Sequence, residues 1–328
     1  RTFYKLRDRY YWPNMFRDIE RHITSCLMCR KNKPSRRKPD GHLHSIVPPS
    51  AIWTRLAMDY IGPVPASTDG NKYILVLTDL FSKYVVSKAV PDNTAATAAN
   101  FLLQDVFLVY GVPEDIITDN GSHFCSSLYE TLLKITRCCH VKTTPYNPQA
   151  NGQCERHNAT LVPNLMALSN NSRSDWDKKL AATTFNYNAT RHASTGYSPF
   201  ELMFARFPRF LADISSSSSS SIHYPTVTQH RQLLSTFIDQ IHRATRHRLL
   251  QQQNTTAARF NRHRLNPQYT IHQRVLIRNR NSHMNKFSPK FIGPFVILQR
   301  PHAKTYIVQH PITHQQLRVP VHDLRSID

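Results

Sequence analysis

Residues 115–124 read Asp-Ile-Ile-Thr-Asp-Asn-Gly-Ser-His-Phe, and this stretch decides how the middle of the chain folds. The two isoleucines predict a short buried strand, and Asn120-Gly121 is a turn pair that ends it. Asp119 therefore follows directly after a strand. In sheets of α/β proteins, ligand sites form beyond the carboxyl ends of strands. We take Asp119 as a candidate site residue.

The segments on both sides of this stretch alternate between strand and helix patterns. Apolar runs at residues 73–78, 84–88 and 140–144 predict strands, whereas residues 94–110 and 125–135 have helical periodicity. Strands that alternate with helices indicate α/β layers. The expected fold class of this region is therefore α/β.

Two further carboxylates occupy settings similar to that of Asp119. Asp59 begins an apolar run, and Glu155 opens a helix after a loop rich in Pro, Asn and Gly. Phosphoryl transfer with two divalent metals about 4 Å apart needs such converging carboxylates, because Mg²⁺ prefers carboxylate and water ligands. Thirty-five residues separate Asp119 from Glu155, a spacing that chance could supply. The alternative is that Asp59 and Asp119 are turn residues and that Glu155 interacts with the helix dipole.

The surroundings of these carboxylates resemble, in order, the catalytic core of gypsy-type LTR retrotransposon integrases. The matching segments are Met58-Asp-Tyr-Ile-Gly-Pro63, Thr78-Asp-Leu-Phe-Ser-Lys83, Thr118-Asp-Asn-Gly-Ser-His-Phe124, Thr144-Pro-Tyr-Asn-Pro-Gln149, Asn151-Gly-Gln-Cys-Glu-Arg156 with Asn158, and Thr195-Gly-Tyr-Ser-Pro-Phe-Glu-Leu202. The resemblance covers nearly the whole chain. It implies a ribonuclease-H-like fold with Asp59, Asp119 and Glu155 as a triad that binds two Mg²⁺ or Mn²⁺ ions.

The resemblance also implies residues that contact DNA. Tyr146 and Gln149 lie on the loop that in the family is near the bound DNA end, although Tyr146 has an alternative role in packing the turn. The family often has a basic residue four positions after the glutamate, and here that residue is Ala159. Arg156 could replace this phosphate contact.

Two further residues of the core receive structural predictions. Asp79 is acidic, but the resemblance places it outside the triad, so we expect a structural role. Pro163 falls inside the helix that Glu155 opens, where proline removes a hydrogen bond and costs about 3 kcal/mol. Either this helix ends early, or the copy has drifted from an active ancestor.

Near the start of the chain, Cys26-Leu-Met-Cys29 has the spacing of metal ligands. Two thiols are half of a zinc site, which needs four ligands. The segment resembles the second half of the family's His-His-Cys-Cys zinc domain, whose histidines precede the position of Arg1. We expect Cys26 and Cys29 to bind Zn²⁺ in the complete protein. Because the sequence begins with Arg1, we expect a fragment or a product of polyprotein processing.

The C-terminal region has a different pattern. Short strand candidates at residues 274–278, 291–298, 306–308 and 317–320 are separated by turn residues, which predicts a small barrel. The run from Lys286 to Phe295 resembles the family's Gly-Pro-Phe/Tyr module, which is SH3-like. The basic residues expected to contact DNA phosphates here are Arg278, Arg280, Lys286 and Lys290.

Charge divides the chain into three parts within a net charge of +21. Residues 1–50 carry 12 basic and 4 acidic side chains, residues 51–221 carry 14 of each, and residues 222–328 carry 16 and 3. This distribution fits a neutral catalytic core between two segments that bind a polyanion, although basic ends could merely keep the protein soluble.

The domain prediction follows these divisions. It comprises a partial helical zinc domain with a basic linker at 1–45, a ribonuclease-H-like core at 46–213, a serine linker and helix at 214–265, and an SH3-like barrel at 266–328. The six cysteines do not resemble a secreted disulfide framework, so we expect a reducing compartment. Neither a membrane span nor a signal peptide is recognisable, so we expect no membrane partner.

Three hypotheses for function follow. The first is an integrase that performs 3′-end processing and strand transfer of retroelement cDNA into target DNA. The second is an integrase-derived DNA-binding protein without catalytic activity, and the third is a ribonuclease-H-like hydrolase, which leaves the basic ends unexplained. The resemblance favours the first. It implies double-stranded DNA as partner, a homo-oligomer, and a nuclear location after a cytoplasmic pre-integration stage.

Overall fold

The computed structural model describes residues 2–33, 38–43, 47–142, 152–210, 226–280, 287–302 and 304–327, without the side chains of 152–157 and 227–230. The chain divides into two compact units. Unit 1 combines Arg1–His44 with Ala257–Asp328, and unit 2 is Ser45–Thr256. We describe each unit separately.

Unit 2 is built on a five-stranded mixed sheet. Its strands are β1 (Arg55–Ile61), β2 (Tyr73–Asp79), β3 (Val85–Val90), β4 (Asp115–Thr118) and β5 (Cys139–Lys142). Their order is β3-β2-β1-β4-β5. The first three strands pair antiparallel, whereas β4 pairs parallel with both β1 and β5. The α/β fold class that we expected is confirmed.

Strand β2 shows why its sequence is a continuous apolar run. Leu75 and Leu77 face one core, whereas Ile74 and Val76 face another on the opposite side of the sheet. A strand that is covered on both faces needs apolar residues at every position. The sheet of unit 2 is therefore the middle layer between two sets of helices.

The helices of unit 2 are α4 (Ala95–Phe101), which continues through a π-helical segment (Leu102–Phe107) into α5 (Leu108–Tyr110), then α6 (Ser127–Ile135), α7 (Gly152–Leu168), α8 (Trp176–Ala189) and α9 (Pro199–Phe204). Helix α10 (Val227–Asn261) follows. The helix predicted at residues 94–110 is thus present. It begins at the Thr94 cap and ends at Gly111, whose φ of 91° requires glycine.

Helix α7 corrects one expectation. It does not end at Pro163 but continues to Leu168, so the early end that we considered is wrong. Leu161 and Leu165 lie four residues apart on its buried side, where they pack with Trp176 and Leu180 of α8. Pro163 itself is exposed. Packing of the apolar side therefore maintains the helix despite the hydrogen bond that proline removes.

Unit 1 joins three short helices with a second sheet. The helices are α1 (Thr2–Arg7), α2 (Met15–Ser25) and α3 (Leu27–Asn32), and the strands are β6 (Arg274–Arg278), β7 (Phe291–His302), β8 (Thr305–Gln309), β9 (Gln316–Pro320) and β10 (Leu324–Ser326). All neighbouring strands pair antiparallel in the order β10-β6-β7-β8-β9. A 3-10 turn (Val321–Asp323) precedes β10. This arrangement agrees with the SH3-like module expected there.

Two expectations concern the connections and membranes. The serine run at 215–221 lies outside the described residues. Across the parts of the chain that the structure describes, no helix has the length and apolar character needed to cross a bilayer.

We predict that Pro163→Ala stabilises unit 2, because alanine restores an N–H donor to the backbone of α7. The expected gain in the free energy of unfolding is about 1–3 kcal/mol, measured by denaturant unfolding of the full chain. Asn164→Ala is the control, since Asn164 is exposed on the same helix and changes only helix propensity. Equal effects of the two substitutions would show that Pro163 does not strain α7.

Candidate active site

The geometry of the site begins with the pairing of β1 and β4. These strands are parallel, and Ala57 is the register partner of Ile117. Two residues farther along each strand direction, the same register brings Asp59 level with Asp119, which follows directly after β4. Neighbouring strands lie about 4.8 Å apart. Two carboxylate residues therefore lie side by side near the carboxyl ends of β1 and β4.

Both carboxylates belong to the same face of the sheet. Ala57 and Ile117 pack together with Leu80 in a small buried cluster. Because side chains alternate between faces with a period of two, Asp59 and Asp119 share the face of Ala57 and Ile117. The opposite face of β1, where Met58 lies, belongs to the main core.

Hydrogen bonds hold the Asp59 carboxylate. Asn158 Nδ2 of α7 donates to Asp59 Oδ2 at 2.9 Å, and the Tyr60 amide donates to Asp59 Oδ1 at 2.9 Å. Asn158 Oδ1 is buried, and within the described part of the chain it has no hydrogen-bond partner. Asn158 thus attaches α7 to the strand that carries Asp59.

Glu155 lies in α7, three positions before Asn158. Residues three apart on a helix are neighbours on its surface, about 5–6 Å between Cβ atoms. The backbone position of Glu155 is therefore one turn from the residue that contacts Asp59. The side chain of Glu155 lies outside the described residues.

The loop after Asp119 is shaped by the turn pair found in the sequence. The Gly121 amide donates to Asp119 Oδ1 at 2.9 Å, which orients this carboxylate. A Cβ at Gly121 would lie 2.5 Å from the His123 ring, so the close approach of this ring depends on glycine. Burial lowers the pKa of His123, and the nearby Asp119 carboxylate partly offsets this effect.

Thr118 and His140 hold the backbone of Asp119 through a second set of hydrogen bonds. Thr118 Oγ donates to the Asp119 carbonyl at 2.8 Å and lies 2.8 Å from His140 Nε2 on β5. Since the hydroxyl proton is used for the carbonyl, His140 Nε2 is the donor to Thr118. Burial lowers the pKa of His140, which keeps the ring neutral and favours this single-proton form.

Asp79 has the structural environment that we expected for it. Ser82 donates to Asp79 Oδ2 from its amide at 2.8 Å and from its hydroxyl, and the Trp53 amide donates to Oδ1 at 3.3 Å. Burial raises the pKa of Asp79. On β2 it is the partner of Leu56, three positions from Asp59 along β1. Asp79 therefore holds the turn between β2 and β3.

The donor set at these strand ends fits a divalent cation. Carboxylate oxygens are the ligands that Mg²⁺ and Mn²⁺ prefer, and they are present here on Asp59 of β1 and on Asp119, which follows β4. Among the side chains that the structure describes, no cluster of three metal-ligating groups is present. Glu155, the third member expected, is not among those side chains.

The two N-terminal cysteines are adjacent in the structure. Cys26 precedes α3, and Cys29 lies within it. Hydrogen bonds from the amide and the thiol of Cys29 lower the pKa of Cys26. A lowered pKa favours the thiolate, which is the form that binds metal. This geometry fits two of the four ligands of a zinc site.

The residues expected to contact DNA differ in whether the structure describes them and in how exposed they are. Tyr146, Gln149 and Lys286 lie outside the described residues, as does the side chain of Arg156. Arg278 and Lys290 are exposed in unit 1. Arg280 instead donates to Oδ1 of buried Asp323 at 2.8 Å, so part of its charge is neutralised within the fold.

Asn158 is the residue for which the sequence suggested no role. It belongs to the segment around Glu155 that resembles the family, but its contact with Asp59 joins residues 99 positions apart. His140 was overlooked for the same reason, since its partner Thr118 lies on a neighbouring strand. The available signal for Asn158 was its spacing of one helical turn from Glu155.

Two family models and several known proteins match parts of this chain. The integrase core domain model matches residues 52–148, and the integrase zinc binding domain model matches residues 1–35. The transposon Tf2-3 and Tf2-4 polyproteins of Schizosaccharomyces pombe are each 25% identical over 319 residues, which cover 92% of this chain. The chain spans 22% of the length of these relatives.

A solved structure shows a similar fold. A chain of the simian T-cell lymphotropic virus intasome, determined in complex with PP2A regulatory subunit B56 gamma, has a TM-score of 0.60 and 18% identity. The match covers 94% of this chain and 90% of that chain. At this identity the likeness concerns the fold alone. Residues 1–35 and 52–148 are therefore similar to the integrase zinc binding domain and to the integrase core domain, and most of the chain is similar to the Tf2 transposon polyproteins.

Proposed function

We propose that this chain is an integrase that trims the 3′ ends of retroelement cDNA and joins them to target DNA. The observation that supports this activity best is the parallel register of β1 and β4, which brings Asp59 level with Asp119 when it is extended by two residues, together with the contact of α7 to Asp59 through Asn158. This arrangement gathers residues of three elements near the carboxyl ends of β1 and β4. Glu155 would complete the triad from α7.

In this proposal Asp59, Asp119 and Glu155 hold two Mg²⁺ or Mn²⁺ ions. When bound, such ions activate the attacking oxygen and stabilise the leaving oxygen of an in-line phosphoryl displacement. The attacking group is water in end processing and the new 3′-hydroxyl in strand transfer. Both reactions use the same carboxylates, because both displace an oxygen at a phosphodiester.

The surrounding residues hold these carboxylates in place. Asn158 and the Tyr60 amide orient Asp59, whereas the Gly121 amide orients Asp119. Fixed carboxylates need less reorganisation when a cation and a phosphate arrive, which is the usual contribution of outer hydrogen bonds to a metal site. Asn158 is therefore a positioning residue in this proposal.

Double-stranded DNA, both element ends and target, is the proposed partner. The net charge of +21 supports a polyanionic ligand, because phosphate binding releases counterions. Arg278 and Lys290 are exposed and suited to phosphate contacts. The contacts proposed for Tyr146, Gln149, Arg156, Arg280 and Lys286 follow from the family resemblance.

A homo-oligomer is the proposed assembly, and exposed aromatic side chains of unit 2 support it. Phe185 on α8 contacts the rings of Phe200 and Phe210, at centroid distances of 6.3 and 5.7 Å. Phe204, at the end of α9, and Phe207, just after this helix, are also exposed. Apolar side chains gathered in this way at a surface often mark a protein interface.

The remaining parts of the proposal follow from the family. Cys26 and Cys29 would bind Zn²⁺ together with two histidines of the complete protein. The four proposed domains keep the boundaries 1–45, 46–213, 214–265 and 266–328. The proposed location is the nucleus, after a cytoplasmic pre-integration stage, because target DNA is chromosomal.

We predict that Asp59→Asn, Asp119→Asn and Glu155→Gln each lower strand transfer by at least about a hundredfold, since metal-ion catalysis supplies several kcal/mol. The assay combines the complete protein, Mg²⁺ or Mn²⁺, and a blunt duplex that carries the ends of the element. Asp69→Asn is the matched control, because Asp69 is an exposed carboxylate of the same unit. It should retain activity.

The same assay separates the other hypotheses. DNA binding without cleavage, unchanged by Glu155→Gln, would support the non-catalytic DNA-binding protein. Preferential cleavage of an RNA–DNA hybrid would support the ribonuclease-H-like hydrolase. Either result would overturn the integrase proposal.

We predict that Asn158→Leu weakens Mn²⁺ binding and strand transfer by about 10–100-fold, the usual range for an outer partner of a metal ligand. Titration calorimetry with Mn²⁺ measures the first effect, and the strand-transfer assay measures the second. Asn164→Leu is the control, since Asn164 is exposed on the same helix. If Asn158→Leu behaves as this control does, Asn158 does not position Asp59.

We predict that Phe185→Lys shifts the protein toward the monomer in sedimentation velocity experiments, because a charge cannot be buried at an apolar interface without a partner. Met166→Lys introduces the same charge at another exposed apolar position. An identical mass distribution for both variants would remove the support that this surface gives to the oligomer.

A further inference from the structure

The positive charge of this protein is concentrated in unit 1. Its residues, 1–44 and 257–328, carry 24 of the 42 basic and 6 of the 21 acidic side chains, a net charge of +18. Unit 2 carries the remaining +3. Unit 1 contains two parts that are far apart in the sequence, so the way they join decides how this charge is arranged.

The outer face of the second sheet contains a buried apolar cluster. On β6, Val275 and Ile277 face the core of the barrel. Leu276 alternates with them and therefore belongs to the outer face, yet it is 0% exposed and clusters with Phe291 and Ile327. A leucine on the outer face can be fully buried only if another segment of the chain packs over it and excludes solvent.

Helix α3 of the N-terminal segment packs on this side of the sheet, next to β7. Two arginines join the helix and the sheet reciprocally. Arg325 of β10 donates through Nη1 to the carbonyls of Arg30 at 2.9 Å and Lys33 at 3.0 Å. Arg30 of α3 donates to the carbonyls of Thr24 and Ser326. We refer to these contacts as the Arg30–Arg325 clasp.

The acceptors in the clasp explain its stability. The carbonyls of Arg30 and Lys33 belong to the C-terminal end of α3, and Thr24 is in the last turn of α2. Helix C-termini have unsatisfied carbonyls and a partial negative charge, which favour a guanidinium. Arg325 also lies over the Phe291 ring, 5.2 Å from its centroid.

The clasp brings basic side chains together without neutralising them through these contacts, because carbonyl acceptors carry no formal charge. Lys33 is exposed at the end of α3. Arg274 and Arg278 are exposed on β6, on the same outer face as Leu276. Positive groups that are held close together repel one another, and a bound polyanion relieves this repulsion.

A second attachment lies farther along the N-terminal segment. The Gly41 amide donates to the Leu265 carbonyl at 2.7 Å, and the Leu43 amide donates to Asn261 Oδ1 at 2.7 Å. Arg264 donates to the Asp40 carbonyl at 3.1 Å. Residues 40–43 therefore contact the C-terminal part of unit 1.

We propose that α3 and the outer face of β10, β6 and β7 form one composite surface for nucleic-acid phosphates, assembled by the Arg30–Arg325 clasp. The ligand is a duplex backbone, which the surface contacts through Lys33, Arg274 and Arg278 together. The N-terminal module and the barrel then bind DNA as one body. This inference rests on the proposed DNA partner but not on catalysis.

The test measures DNA affinity and its salt dependence by fluorescence anisotropy, with the full chain and a labelled duplex of unrelated sequence. Loss of one phosphate contact lowers the salt slope by about one unit. Arg325→Met should lower it by about one unit, because α3 and Lys33 separate from β6 while Arg274 and Arg278 remain. Arg318→Met is the control: Arg318 is exposed on β9, at the other end of the strand order, and its substitution should leave the salt slope unchanged.

Arg325→Lys distinguishes the clasp from a direct phosphate contact. Lysine keeps the charge but is one bond shorter, and it lacks the planar guanidinium that lies over Phe291 while its Nη1 donates to both carbonyls. The composite surface therefore predicts that Arg325→Lys binds as weakly as Arg325→Met, and that amide exchange in residues 27–33 becomes faster in both variants. Wild-type affinity and protection in Arg325→Lys would overturn the proposal.

A double-substitution cycle with Lys33→Gln gives a second criterion. If the clasp delivers Lys33 to the DNA, Lys33→Gln weakens binding in the wild-type background but has little effect beside Arg325→Met. Additive effects would contradict the composite surface. Strand transfer that fails in a protein with an intact clasp and normal DNA binding would count against the proposed catalysis alone.

Discussion

The parallel pairing of β1 with β4 is the constraint on which the candidate active site depends. The two strands are separated by more than fifty residues of sequence, and their register places Asp59 level with Asp119. A shift of one residue would move one of the two carboxylates to the opposite face of the sheet. The apolar residues before them, Ala57 and Ile117, prevent this shift because they are buried together. The packing of the sheet therefore sets the geometry of the chemistry.

Helix α7 depends on the same sheet. Its apolar side is buried against α8, and its polar residue Asn158 reaches Asp59. These contacts explain why the helix accommodates Pro163 without ending there. Local propensity alone would stop the helix, but the free energy of apolar burial exceeds the cost of one lost hydrogen bond. The residue that orients the carboxylate and the residues that stabilise the helix thus lie within two turns of each other.

The distribution of charge gives the two units different physical properties. Unit 2 is almost neutral, whereas unit 1 carries most of the net positive charge. Unit 1 collects basic residues from both ends of the chain. Because Arg30 and Arg325 donate to backbone carbonyls, the fold joins these two ends without using acidic side chains in those contacts. These contacts therefore leave the positive charge of the basic side chains available to a polyanionic partner.

The sequence by itself determined strands β2 to β5, helices α4 and α6, the strand-rich C-terminal module and the positions of the candidate carboxylates. Strands such as β2 and helices such as α6 are local patterns of apolar residues, and turn pairs such as Asn120-Gly121 are equally local. Only the tertiary structure decided that Asn158 binds Asp59, that His140 supports Thr118, and that Arg325 caps α3. These contacts join residues that are distant in the chain, and no local pattern specifies such partners. Strand register and helix packing select them, because burying the apolar faces leaves only certain polar side chains within hydrogen-bonding distance.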